Sequence, residues 1–194
     1  MQFMDKLSKN IVLFDTEYTA WEGSRERGWS KSNEHKEIVQ IGGIILETHN
    51  FTEVSSFNVY VKPVFNPVLS EYFINLTAIT QEVVQSRGID LISAYAKFVD
   101  WSSGIDSYSF GHDEKVIIEN FGLLNINANF QTQRFFNARN LFEENNIDTK
   151  NYNSGNIIEY FGKKTKLRAH DALNDSRIIA EAIREMILNA NKSA

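Results

Sequence analysis

Ile11-Val-Leu-Phe-Asp15-Thr16-Glu17 is an apolar run that passes directly into two carboxylates. Four apolar residues in a row fit a short strand buried on both faces, as in an α/β sheet. Strand side chains alternate, so Asp15 and Glu17 leave on the same face, one strand repeat apart. Two carboxylates that close repel, and no basic residue accompanies them locally. A divalent ion such as Mg²⁺, which takes hard carboxylate oxygens, removes the conflict. The alternative is a solvated strand end with two ordinary acids, and Asp-x-Glu alone does not separate the two.

Working outward, Glu37-Ile-Val-Gln-Ile-Gly-Gly-Ile-Ile-Leu46 and Phe57-Asn-Val-Tyr-Val61 are two further β-rich runs, with a hairpin turn expected over 47–53. Pro63 and Pro67 make Lys62-Pro-Val-Phe-Asn-Pro67 leave the sheet, because proline cannot donate to a ladder. Ala94, Phe98 and Trp101 mark a helix near 90–102, and Ser107-Tyr-Ser-Phe110 is a fourth strand. Further helices are expected at about 113–124, 137–145, 154–161 and 171–189. Strands first, then strand and helices interleaved, give an α/β domain with a mixed sheet.

The last helix carries a second acid signal. Ala172, Ile179, Ala182 and Met186 form its apolar stripe, and Asp175 falls inside that stripe. A carboxylate facing a core costs several kcal/mol unless it is partnered. Arg177 or Arg168 could supply an ordinary salt bridge; the ion held by Asp15 and Glu17 is the other partner. Asp171 suits the helix N-cap, which leaves His170 in the preceding loop. A histidine there titrates near neutrality and can take a proton from a metal-bound water, although most lone histidines are structural. Carboxylates around it would raise its pKa. Asp113 follows the fourth strand after Phe110-Gly-His112, at the strand edge where α/β domains place sites, or it is merely a helix cap.

Composition narrows the classes. The chain has 194 residues, 20 Lys+Arg, 25 Asp+Glu, a net charge of −5 and no cysteine. One domain spanning 1–194 is expected, with its core at about 10–188. A disulfide framework, a thiol nucleophile and a Cys-built zinc site are excluded. The negative balance opposes coating of long nucleic acid by charge alone, but not a grip on a few phosphates through metal ions. No apolar stretch reaches the roughly 20 residues of a membrane span, and the start lacks the apolar core of a secretory signal. A cytoplasmic globular protein with no membrane partner is expected.

With these residues in view, the sequence resembles the DEDDh 3′–5′ exonucleases, a branch of the ribonuclease H-like fold. Phe14-Asp15-Thr16-Glu17, then Asp113, then His170-x-Ala172-x-x-Asp175 follow the family's order of four acids and a histidine. Glu37-Ile-Val-Gln-Ile, Lys62-Pro-Val-Phe-Asn-Pro67 and Leu76-Thr-Ala-Ile-Thr80 are similar to intervening segments of the KapD and histone-mRNA 3′-end exonuclease subgroup. The resemblance implies a three-layer domain with a mixed five-stranded sheet flanked by helices. It implies two Mg²⁺ per site, with Mn²⁺ substituting, held by Asp15, Glu17, Asp113 and Asp175, and His170 as base. The substrate would be a single-stranded RNA or DNA 3′ end, RNA slightly favoured, with release of nucleoside 5′-monophosphates. A DNA repair or proofreading exonuclease and a non-catalytic binding module of the same fold are the rivals. Thr16, Leu76 and Thr77 match positions that meet the terminal nucleotide. Lys166 and Arg168, in Lys163-Lys-Thr-Lys-Leu-Arg168, are candidates for the phosphate backbone, with a solvated turn as the alternative. Two departures stand out. The second motif is only Gly111-His-Asp113, which makes Glu114 a rival ligand, and the loop Trp21-Glu-Gly-Ser-Arg-Glu-Arg-Gly-Trp29 has no placed counterpart. At least one of its tryptophans is expected to cover the core edge. Oligomeric state is open.

Overall fold

Strand β1 (Asn10–Tyr18) is the centre of a mixed sheet. In the computed structural model the described residues are 7–127 and 133–192; residues 1–6, where the sequence was read for a leader, lie outside them. With β2 (Ile38–Glu47), β3 (Thr52–Tyr60), β4 (Ser107–Ser109) and β5 (Phe135–Asn137), the sheet order is β3-β2-β1-β4-β5. The first three strands form antiparallel neighbours, whereas β4 and β5 run parallel to β1. Helices α1 (Glu71–Thr77), α2 (Gln81–Arg87), α3 (Leu91–Ser102), α4 (Asp113–Leu123), α5 (Ala138–Glu143) and α6 (Ala172–Lys192) complete the fold, with a 3₁₀ turn at Ile157–Phe161. No helix among the described residues is long and apolar enough to cross a membrane.

Alternation along β1 builds both cores. Ile11 and Leu13 pack on one face with Ile178, Ile179 and Ile183 of α6, while Val12 and Phe14 pack on the other with Phe98 of α3 and Ile117 of α4. Each such fully buried side chain contributes about 1.5–3 kcal/mol of transfer free energy. The same alternation sends Asp15 and Glu17 toward the α6 layer and Thr16 toward the α4 layer.

One glycine read only as a strand residue, Gly42, sets how closely α6 approaches. A Cβ on Gly42 would lie 2.3 Å from the Leu173 nitrogen and 2.5 Å from the Ala172 carbonyl carbon. Gly42 pairs with Asp15 across β1–β2, and its neighbour Gly43 pairs with Phe14. Bare backbone at Gly42 therefore lets the first turn of α6 sit on the sheet beside Asp15. Gln40, fully buried, fastens that turn: its Oε1 accepts from Ala172 N–H (3.0 Å) and its Nε2 donates to Asp171 (3.2 Å). Asp171 Oδ1 accepts from Asn174 N–H (3.0 Å), the expected N-cap.

The expected strands and, but for one, the expected helices are present with shifted bounds; α1 and α2 were not expected, and β5 is the fifth strand that the resemblance implied but that the sequence did not place. Each has seven residues or fewer, too short to show a period. The expected helix at 154–161 is a turn followed by the short 3₁₀ segment.

Candidate active site

The C-terminal ends of β1 and β4 and the start of α6 enclose a cleft of about 580 Å³. Asp15, Glu17, Asp113, His170 and Asp175 all line it, so residues from three separated stretches of chain meet in one place. The four acids are buried or nearly so: Asp15 is 7% exposed, Glu17 9% and Asp175 2%. Asp113 is the second-motif acid that faces the cleft. Its Oδ1 accepts from Thr16 N–H (3.2 Å) and from the Thr16 hydroxyl (2.6 Å). Glu114, the rival, is turned to His112 Nδ1 at 3.1 Å. Asp175 accepts from the Ser154 hydroxyl on Oδ2 (3.0 Å) and from His170 N–H on Oδ1 (3.2 Å).

Neither arginine considered as a partner for Asp175 pairs with it. Arg177 forms a two-pronged pair with Glu53 (2.9 and 2.8 Å), and Arg168 donates to the Asn75 and Leu76 carbonyls. Among the described residues, no lysine or arginine pairs with any of the four acids. The consequence is electrostatic. Burial first, then the charges of Asp113, Asp175 and Glu17, hold the Asp15 carboxyl well above the usual carboxylate range. Glu17 is raised well above its ordinary value by burial and then by Asp175 and Asp113. Burial raises Asp113 against the pull of its Thr16 bonds, and pushes Asp175 up to about 7 against its Ser154 and His170 bonds. Four carboxylates, three of them buried and Asp113 half-buried, that lack a lysine or arginine partner among the described residues are the hard-oxygen donor set that divalent ions take. The chain's residues fit such a group.

His170 adopts φ = 61°, in the left-handed region that few non-glycine residues enter. One potential ligand atom from its ring, one from Glu17 and one from Asp175 lie within 4.8 Å of one another. Its pKa is lowered, first by burial and then by the charges of Arg168 and Arg25. That reverses the upward shift expected from carboxylates alone: burial outweighs them, Arg168 is only two residues away in sequence, and Arg25 is brought to the same cleft by the fold.

The expected nucleotide contacts divide. Leu76 lines the cleft. Thr16 also lines it, but its hydroxyl is bound to Asp113, so it positions an acid. Thr77 is 2% exposed and closes α1: its hydroxyl donates to Phe73 O (2.9 Å) and accepts from Ile79 N–H (3.0 Å). Lys166 and Arg168 are outside the cleft lining; Lys166 is exposed, and Arg168 braces the end of α1 through the carbonyl bonds above. Ser154 was missed, because it was read only as the start of a helix over 154–161. A Cβ on Gly155 would come within 3.1 Å of Asp175 Oδ1, so this turn is packed directly on the acid. In the 21–29 loop, Trp29 covers the β1 edge as expected of one tryptophan, donating to Thr19 O (2.9 Å) with its ring edge against Tyr18.

Fold and site together bring four acids and a histidine into one cleft, and comparison with known proteins gives the family of the chain. The exonuclease family model (RNase_T) matches residues 12–183, and the chain belongs to that family. The DEDDh resemblance read from the motifs is borne out, as is the ribonuclease H-like sheet. Human ERI1 exoribonuclease 2 is 30% identical over 91 residues, which cover 47% of this chain and 12% of that protein. The 3′-5′ exonuclease crn-4 of Caenorhabditis elegans is 28% identical over 169 residues, 78% of this chain and 56% of that one. The chain thus spans at most about half the length of these curated relatives. Among solved structures, the nuclease domain of 3′hExo, a DEDDh family member bound to rAMP, has a TM-score of 0.79 at 22% identity, covering 95% of this chain and 94% of that one.

Proposed function

We propose that the chain is one catalytic domain that removes nucleoside 5′-monophosphates from the 3′ ends of single-stranded nucleic acid, RNA favoured over DNA. The observation that carries this reading is the meeting of four carboxylates, three buried and one half-buried and none paired with a lysine or arginine among the described residues, with one histidine in an open cleft. Asp15, Glu17, Asp113 and Asp175 would hold divalent ions, Mg²⁺ or in its place Mn²⁺. When bound, two such ions supply Lewis acidity at phosphorus, activating a water and stabilising the leaving 3′ oxygen.

The chain's own groups do the rest. His170 accepts the proton of the attacking water at a ring nitrogen, and its lowered pKa keeps that nitrogen free at neutral pH. Ser154 and Thr16 orient Asp175 and Asp113 by hydrogen bonds. Leu76 presents an apolar surface to the terminal nucleotide. As the water oxygen bonds to phosphorus, the bond to the upstream 3′ oxygen breaks, and that oxygen leaves as an alkoxide that takes a proton from solvent. The RNA preference is supported by the exoribonuclease name of the human relative and by the rAMP in the 3′hExo structure. Incubating 5′-labelled single-stranded RNA and DNA oligomers with Mg²⁺, Mn²⁺ or EDTA tests the reading. A ladder shortening from the 3′ end, faster on RNA and absent in EDTA, is expected. Internal cuts only, or equal cleavage in EDTA, would overturn it.

A further inference from the structure

The connection between β1 and β2 crosses the mouth of the cleft, and it is tied together from within. Ser24 Oγ accepts from Trp21 N–H (3.1 Å), and Trp29 N–H donates back to Ser24 O (2.9 Å). Arg27 donates to Glu22 O (2.7 Å) and grips the buried Glu34 with Nε (2.9 Å) and Nη2. Trp29 is fixed by its indole bond to Thr19 and by its edge contact with Tyr18, and the Lys36 ammonium lies over both rings at 5.6 and 5.0 Å. Lys36 is in addition paired with Glu119 (3.3 Å).

Arg25 breaks this pattern. It is exposed, it lines the same cleft as the four acids, and among the described residues its guanidinium has neither ion pair nor hydrogen bond. Tyr18 at the end of β1, Arg139 of α5 and His170 before α6 line that cleft with it, so Arg25 stands over the cleft between three walls. A loop made rigid by its other side chains thus holds one free guanidinium opposite an acidic floor. The floor attracts cations and, through them, a phosphate. An anion seated there meets Arg25 from the other side, in the forked geometry that guanidinium offers to phosphate oxygens.

We infer that Arg25 is a catalytic residue that binds the non-bridging oxygens of the phosphodiester being cleaved. The inference rests on the exonuclease reading and adds a residue to it. Arg25 transfers nothing: it stays protonated while the water oxygen bonds to phosphorus and the 3′ oxygen leaves, and it stabilises the charge that builds between them.

The test compares wild type, R25A and R25K on an RNA oligomer and on thymidine 5′-(p-nitrophenyl phosphate), which has a single phosphate. R25A should lower kcat by on the order of 10²-fold on both substrates, the usual cost of losing one fixed donor to the reacting group. KM should move less than kcat, R25K should recover part of the loss, and the thermal midpoint should stay within about a degree of wild type. A loss confined to the oligomer places Arg25 on an upstream phosphate and overturns the assignment, as does unchanged kcat. Calorimetric titration of AMP in Ca²⁺ separates the two layers. If wild type hydrolyses neither substrate but binds AMP tenfold more tightly than R25A, the phosphate contact stands and the exonuclease reading falls. Equal or absent AMP binding in both overturns the contact.

Discussion

Replacing Asp175 with asparagine in the metal-free protein should raise its stability at pH 8 and leave it unchanged or lower at pH 4. Burial lifts the Asp175 carboxyl from 3.8 to about 7 in the folded chain. Below 3.8 both folded and unfolded chains hold the proton, and the stabilisation is fully present. Between 3.8 and 7 the unfolded chain releases a proton that the folded chain keeps, so stability falls as pH rises. Above 7 the loss is complete. About three pKa units at 1.36 kcal/mol each put it near 4 kcal/mol. Asparagine has one acceptor oxygen for the two donors, Ser154 and His170 N–H, that now bind separate carboxylate oxygens. Losing one of them costs about 1–3 kcal/mol. The net gain at pH 8 is about 2 kcal/mol, or roughly 4–8 °C for a chain of this size. Thermal melts of both proteins in EDTA from pH 4 to 8.5 measure it. A difference that does not vary with pH, or a D175N variant less stable than wild type at pH 8, would refute a buried, cation-free acid at this position.

Other outcomes follow from the same geometry. Mg²⁺ or Mn²⁺ at 100 times its Kd should add about 2.7 kcal/mol to wild-type stability at pH 8, less at pH 6 where protons compete, and less in D175N; melts with and without metal check this. H170A should keep that metal-induced rise yet lose about 10²–10⁴-fold in single-turnover rate. The acid limb of the wild-type pH–rate profile should fall below the unperturbed histidine value near 6.5, because burial, Arg168 and Arg25 all favour the neutral ring. Gly42→Ala should cost about 3 kcal/mol and blunt the metal response, since its Cβ meets α6 backbone that cannot move aside without carrying Asp175 away; denaturant titration reads the first and melts with metal the second. Glu37→Ala should cost about 3 kcal/mol by orphaning the Val64, Phe65 and Asn66 N–H groups that its carboxylate accepts, lowering the melting temperature at every pH from 6 to 8.

What the sequence made legible was whatever rests on period and burial. β1 and α6 announce themselves by apolar spacing, and an acid inside an apolar stripe must have a partner, so Asp15, Glu17 and Asp175 could be read before any fold was known. What remained hidden depends on where a side chain turns once the chain is folded. Asp113 and Glu114 are adjacent at the start of α4, and one helical step sends the first to Thr16 and the second to His112. Thr77 matches a nucleotide-contact position in sequence, yet its hydroxyl closes a helix. Lys163, read as part of a basic cluster, pairs with Glu185 twenty-two positions along the chain (2.7 Å). Ser154 lies in an irregular stretch whose approach to Asp175 exists only after β1 and α6 are packed. β5, three residues at the sheet edge, is too short for alternation to show.

The central claim is that the four acids form a metal-dependent centre releasing mononucleotides from a 3′ end. It is tested most directly with a single-stranded RNA labelled on its 3′-terminal nucleotide, incubated with wild type and with D15N in Mg²⁺ and resolved by product chromatography. The account predicts that the first labelled product from wild type is the nucleoside 5′-monophosphate, with none from D15N although that variant remains folded. Label appearing first in an oligonucleotide or as a 3′-phosphate, or D15N cleaving at the wild-type rate, would contradict it.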